Sequence, residues 1–172
     1  MTPNSSEGAT ELATNGRPIE SVWDYPRPPR LELVELRIQV IHGGATVVDA
    51  PHALRVLETS QPPAFYVPAE FVDPDRLRPS RQRTMCEWKG VAEYADVVVP
   101  GAPVAEGAAW SYPQPTPGFA ELVQHWAFYA QRLDECLVAG ERVAGNEGGF
   151  YGGWITAEVT GPFKGAPGTL HW

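Results

Sequence analysis

The sequence predicts a mainly β protein: a small antiparallel domain, barrel-like or built of two sheets, with one or two short helices. Three observations predict it. Proline (18) and glycine (17) are both frequent among the 172 residues; proline breaks helices and glycine raises the entropic cost of ordering the backbone. Short segments alternate polar and apolar side chains with the period of a half-buried strand. Turn signals recur every 8 to 12 residues or so, the spacing of strands in a closed or nearly closed antiparallel sheet. Apolar residues make up 43% of the chain, an ordinary globular share. The length suits one domain that buries its core without disulfides.

Residues 1–20 are rich in Ser, Thr, Gly, Asn and Glu and read as a disordered or loosely docked tail. Residues 21–30 form an aromatic, proline-rich lead-in, expected to lie extended across the body with Trp23 and Tyr25 as anchors. The flexible tail and lead-in thus occupy 1–30, the β domain 31–143, and a Gly-rich C-terminal extension 144–172. Residues 35–40 alternate, His42-Gly43-Gly44 turns the chain, and 45–49 return as the second arm of a hairpin. Residues 53–58 and 64–67 read as the next two strands, separated by Pro62-Pro63. Asp73-Pro74 has the form of a helix N-cap followed by proline at the first helical position, and Pro79 limits that helix to about a turn. Strands follow at 93–99 and 103–109, a short helix at 117–123, and strands at 124–129 and 133–138 with an Ala139-Gly140 turn. Residues 154–159 alternate well enough for a terminal strand that packs on the domain.

The net charge is −8 and the isoelectric point about 4.9, which argues against a partner as anionic as nucleic acid. The four arginines between Arg76 and Arg83, interrupted by Pro79, read as a solvated loop. Two cysteines, Cys86 and Cys136, make no disulfide framework. With the four histidines they show no ligand pair at the short spacing a metal site uses, so no metal is expected. No Gly-x-Gly-x-x-Gly, Walker loop, His-Glu-x-x-His or Gly-x-Ser-x-Gly is present, so no cofactor is expected either. No basic segment leads into an apolar run near residue 1, and no stretch is apolar enough to span a bilayer. The expectation is a cytoplasmic, soluble protein without a membrane partner, its oligomeric state left open.

Two runs carry the chemistry: Cys86-Glu87-Trp88-Lys89-Gly90 and Ala109-Trp110-Ser111-Tyr112-Pro113. Each brings large aromatic faces and polar groups next to a Gly or Pro, a composition that suits strand ends lining a cavity. In the strand at 53–58, residues 54, 56 and 58 share one face. Leu54 and Val56 turn that face inward, so Glu58 points inward too. It either makes a structural ion pair with an arginine or Lys89, or serves as a pocket acid. Arg55 lies on the opposite face, free to reach a second partner or to stand in solvent. Cys86 is a small buried thiol, or a nucleophile if a base stands beside it. Trp88, Trp110, Tyr112, Tyr66 and Trp126 are core aromatics or cavity walls, and Lys89, Ser111 and Gln114 would supply polar tips to such a cavity.

Four runs also stand in a familiar order and spacing: residues 53–63 (ALRVLETSQPP), 86–90 with Tyr94, 108–113 (AAWSYP) and Ala127-Phe128-Tyr129. Together they resemble the domain of unknown function 427 family (DUF427), common in bacteria and sometimes labelled nucleotidyltransferase-like. The resemblance spans residues 31–143 and implies a small β-rich domain with no known reaction. Asp73-Pro74-Asp75 has the spacing of a nucleotidyltransferase metal pair, but it follows no Gly-Ser loop.

The residues favour binding of a small molecule in a pocket of Arg55, Glu58, Tyr66, Trp88, Lys89, Trp110 and Tyr112. One alternative is a transferase or hydrolase using Glu58 as general base or Cys86 as nucleophile. Another is a structural or protein-interaction module whose aromatics are all core.

Overall fold

The computed structural model describes residues 10–172. Its strands in chain order are β1 (Glu20–Ser21), β2 (Arg30–Val34), β3 (Ile38–His42), β4 (Ala45–Ala50), β5 (Ala53–Leu57), β6 (Ala64–Pro68), β7 (Leu77–Cys86) and β8 (Gly90–Val97). They continue with β9 (Ala105–Ser111), β10 (His125–Phe128), β11 (Glu135–Val138), β12 (Glu141–Arg142), β13 (Ala144–Gly145), β14 (Trp154–Ile155) and β15 (Val159–Thr160). The protein is mainly β, and its helical turns are short 3-10 pieces such as Pro117–Leu122. Among the described residues no helix is long and apolar enough to cross a membrane.

Two open antiparallel sheets form the body. One has seven strands in the order β2-β5-β6-β10-β9-β8-β7, the other four in the order β12-β11-β3-β4. Alternation along the seven-stranded sheet splits its side chains between two hydrophobic clusters. On β6, Phe65 and Val67 join the cluster shared with Ile38, Val40 and Val48 of the small sheet. Tyr66, between them, points the other way, into a cluster with Leu54, Trp110, Tyr112 and Tyr129. The same parity puts Phe128 in the first cluster and its neighbours Ala127 and Tyr129 in the second. Strands covered on both faces read as nearly continuous apolar runs, and every residue of β5 is buried.

Most expected elements are present with shifted ends. The β3–β4 hairpin turns at Gly43 and Gly44, both with positive φ (57° and 75°). At Gly43 an added Cβ would come within 2.5 Å of the Ala102 Cβ, so only glycine fits that turn. Asp73 caps the turn Pro74–Arg76 as expected, its side chain accepting from the Asp75 amide.

Three readings differ. The arginine segment is not a solvated loop but the edge strand β7. Arg78 lies opposite Asp96 and Arg83 opposite Glu93 on β8, with ion-pair distances of 3.0 and 3.4 Å. Pro79 is accommodated because β7 is an edge and a bulge separates Pro79 from Arg83 in the register. The terminal strand at 154–159 is instead two short strands. Between them Thr156 Oγ1 accepts from the Glu158 amide, and the Ala157 amide donates to the Glu141 carboxylate.

The third difference is in the tail and lead-in. Residues 10–30 are docked on the body: β1 pairs in parallel with β15, and Arg17 bonds Glu158 at 2.8 Å. The lead-in turns through a 3-10 piece, Val22–Asp24. Tyr25 is buried and donates to Glu20, whereas Trp23 stays exposed with its indole on the Pro162 carbonyl. The expectation of a loose tail for residues 1–9 lies outside the described residues.

Candidate functional site

The outer face of the seven-stranded sheet carries a partly open cavity of about 260 Å³. Its floor is aromatic because parity turns four residues of neighbouring strands to one side. The Trp110 indole donates to the Tyr66 hydroxyl at 3.1 Å, and its ring lies 4.5 Å from Tyr129 and 6.1 Å, edge-on, from Tyr66. Tyr112 stands 6.2 Å from Tyr66. Such tilted and edge-on arrangements match the quadrupoles of the rings.

The rim is the β7–β8 turn, held from outside by Thr116. The Thr116 amide donates to the Lys89 carbonyl at 3.0 Å and its hydroxyl to the Trp88 carbonyl. Gly90 closes the turn at φ +109°, where an added Cβ would meet the Gln114 carbonyl at 3.3 Å. With the turn fixed, the Trp88 indole donates to Glu58 Oε1 at 3.1 Å, and Gln61 donates to the other carboxylate oxygen. Glu58 therefore spends both oxygens on neutral donors, and among the described residues it makes no ion pair in reach of an arginine or Lys89.

Six of the seven expected site residues line this one cavity: Glu58, Tyr66, Trp88, Lys89, Trp110 and Tyr112. Arg55 does not. It is buried on the opposite side of β5, bonded to Glu32 and, at 3.4 Å, to Glu20. Its partners come from β2 and the lead-in, so Arg55 ties the N-terminal segment to the sheet. Cys86, the other catalytic candidate, lines the cavity half-buried. None of the four histidines lines it. Ser111 and Trp126 face a second hollow beside β7 and β8, and Gln114 lines neither.

Electrostatics single out Lys89 and Tyr112. Burial works against the Lys89 ammonium, but Tyr66, Cys86 and Glu58 around it more than offset this and raise its pKa above the ordinary lysine value. Tyr112 is pushed far up, first by burial and then by Tyr66 and Cys86. At neutral pH the Lys89 ammonium thus stands beside the protonated Tyr112 phenol. The Lys89 Nζ lies 5.5 Å from the centre of the Tyr112 ring, a cation–π distance.

The remaining wall comes from the C-terminal extension, whose part in the cavity the sequence analysis did not anticipate. Phe150, Tyr151, Gly152, Gly153 and Lys164 all line it. The Tyr129 hydroxyl holds the Phe150 carbonyl at 2.9 Å and Arg132 holds that of Gly149 at 2.8 Å. At Gly152 the backbone lies flat on Trp110, and a Cβ there would fall 2.2 Å from the ring. Gly152→Ala is therefore expected to cost about 1–3 kcal/mol through overpacking, measured by chemical denaturation. Gly149→Ala, with nothing within 4 Å of its added Cβ, should stay within about 0.5 kcal/mol.

Residues 30–139 match the family model described as Domain of unknown function (DUF427). The chain belongs to the DUF427 family. No curated protein matches the chain. Within DUF427 the matched segment supplies Glu58, Cys86, Trp88, Lys89 and the aromatic floor, while the wall from Phe150 to Lys164 lies beyond it.

Proposed function

We propose that this DUF427 protein binds a small organic molecule in the cavity on the outer face of its seven-stranded sheet. The observation that carries the reading is convergence. The Tyr66, Trp110, Tyr112 and Tyr129 rings and the polar ends of Glu58 and Lys89, drawn from separate strands and turns, surround one hollow. Apolar walls with a few placed polar groups are the usual composition of a ligand site. A volume of about 260 Å³ falls just below the range usual for drug-sized ligands, about 300–1,000 Å³, and so suits a metabolite of one or two rings.

The test is a metabolite library screened by tryptophan fluorescence and thermal shift, on the wild-type protein and on Trp88→Ala. A true ligand stabilises the folded state by mass action, about 2.7 kcal/mol at a hundred times its Kd, and so raises the melting temperature. Trp88→Ala removes one wall and the donor that orients Glu58, so affinity should fall about tenfold or more. A library in which no compound moves either signal would refute the proposal.

A further inference from the structure

The chain contains only two lysines, Lys89 and Lys164, against eleven arginines. Both line the same cavity. The two cations are otherwise used differently. Every ion pair among the described residues involves an arginine or His42, and none involves a lysine. Arginine's fork suits fixed bidentate pairing, whereas an ammonium is a compact charge with rotatable donors. In this protein the arginines hold the scaffold together, and both ammonium groups stand at the hollow with no carboxylate in ion-pair reach among the described residues.

Both lysines are mounted on fixed backbone. The Lys89 carbonyl accepts from the Thr116 amide at 3.0 Å. The Lys164 amide donates to Ser60 at 2.8 Å, and its carbonyl accepts from the Asn146 side chain at 2.6 Å. Each ammonium also lies against a tyrosine face, Lys89 at 5.5 Å from Tyr112 and Lys164 at 5.2 Å from Tyr151. The carboxylates at the cavity are Glu58 and Glu87. Glu58 already accepts from Trp88 and Gln61, and Glu87 is exposed. The two ammonium groups are thus the charged donors the cavity offers an incoming molecule, with Glu87 an exposed carboxylate acceptor beside them. The raised pKa of Lys89 keeps it a cation at neutral pH, which makes it a hydrogen-bond donor to an anion and not an amine nucleophile.

We infer that the cavity takes an aromatic anion, a small planar ring bearing one carboxylate or phosphate, with the ring on the tyrosine and tryptophan floor and the anionic oxygens on Lys89 and Lys164. This inference rests on the small-molecule reading above and adds the ligand's charge. One ammonium comes from the DUF427 domain and the other from the extension, so the extension helps set which anion is accepted.

The test uses the full chain and matched probes: 4-hydroxybenzoate against 4-hydroxybenzamide, 2-naphthoate against 2-naphthamide, and phenyl phosphate. Affinities are measured by calorimetry and thermal shift in wild type, Lys89→Gln, Lys164→Gln and Lys89→Arg, with circular dichroism confirming that each variant is folded. The expected result is that an acid binds about tenfold or more tighter than its amide, as a charge-assisted hydrogen bond implies. Each Lys→Gln change should weaken the acid by about tenfold and leave the amide alone, while Lys89→Arg keeps the preference. Phenyl phosphate binding in place of the carboxylates would assign the anion as a phosphate; the reverse would assign a carboxylate. Amides that match their acids, or acid affinities unmoved by both Lys→Gln changes, would overturn the inference. So would a metabolite library whose hits are neutral while the acids and phenyl phosphate stay unbound, and in that case the cavity reading survives. A library and a probe set that both fail to bind remove the two readings together.

Discussion

Replacing Trp154 by alanine will lower the unfolding free energy by about 3–5 kcal/mol, the usual cost of deleting a large buried aromatic. Trp154 is 1% exposed and heads the fully buried side chains by volume. Its ring stacks on Phe65 at 5.3 Å and 22°, in the cluster between the two sheets. Its indole donates to the Phe128 carbonyl at 2.8 Å, so truncation also leaves a buried acceptor without a partner. Trp154→Phe keeps most of the packing and loses only that bond, so it should cost about 1–3 kcal/mol. Urea unfolding monitored by circular dichroism reads both values. Trp154 lies beyond the matched segment, residues 30–139, so the result also decides what the extension is. A loss under about 1 kcal/mol would make residues 144–172 an accessory; the expected loss makes them part of the core.

The fold was legible wherever one face of a strand met the core and a turn residue had a single conformational option. The β3–β4 hairpin follows from alternation plus Gly43-Gly44, and the β11–β12 turn from Ala139-Gly140, both with positive φ (49° and 81°). What hid β7 was its edge position. Its ten residues are exposed or half-buried throughout, so no apolar period marks them. The information lies across the strand, in Asp96 and Glu93 opposite Arg78 and Arg83, and a pairing partner distant in sequence leaves no local trace. Residues 10–30 were hidden for a related reason. Their hold on the body runs through the β1–β15 pairing, buried Val22 and Tyr25, and the Arg17–Glu158 and Glu20–Arg55 pairs, contacts to distant residues that composition averages away.

The cavity was legible because parity is local. Leu54 and Val56 mark the covered outer face of β5, and Glu58 follows two residues on, beyond the strand end at Leu57 but in register with them. The same parity, applied to Arg55, put it on the other face, where Glu32 and Glu20 hold it. Aromatics beside Gly or Pro marked the rim. Hidden from the sequence was the wall of Phe150–Gly153 and Lys164, since glycine-rich chain carries no periodicity. One signal was available: Gly152 and Gly153 admit no side chain against Trp110 and Pro62, and paired glycines beside aromatics can mark a backbone lying flat on a ring.

Above pH 9 the protein will lose stability steeply, with an effect as large as that of Trp154→Ala. Burial pushes the Cys136 thiol from its ordinary 9.0 up to about 12, with Arg142 pulling weakly the other way. The unfolded chain therefore gives up this proton near pH 9 while the folded chain holds it to about pH 12. Stability from this group is complete below pH 9 and falls by about 1.4 kcal/mol per pH unit across the window, about 4 kcal/mol in all. Tyr112 and Tyr129 act with the same sign. Burial first, then neighbouring tyrosines, raises both pKa values, so their contribution is intact below the ordinary 10.0 and is lost as the pH climbs beyond it. Lys89 adds to the loss, because its raised pKa favours the folded state below 10.5 and ceases to do so above. Against a total stability of about 5–15 kcal/mol, these losses together are enough to unfold the chain cooperatively in alkali. A pH titration followed by tyrosinate absorbance and far-ultraviolet circular dichroism, compared with Tyr112→Phe and Tyr129→Phe variants, checks it: the tyrosinate signal of Tyr112 and Tyr129 should rise together with the loss of β signal. In Cys136→Ala the dependence of unfolding free energy on pH between 9 and 12 should be shallower by about 1.4 kcal/mol per pH unit. Ionisation of Tyr112 and Tyr129 near pH 10 with the β signal retained would mean that the aromatic floor is open to water, contrary to the packing of Tyr112 on Tyr66 and of Tyr129 on Trp110.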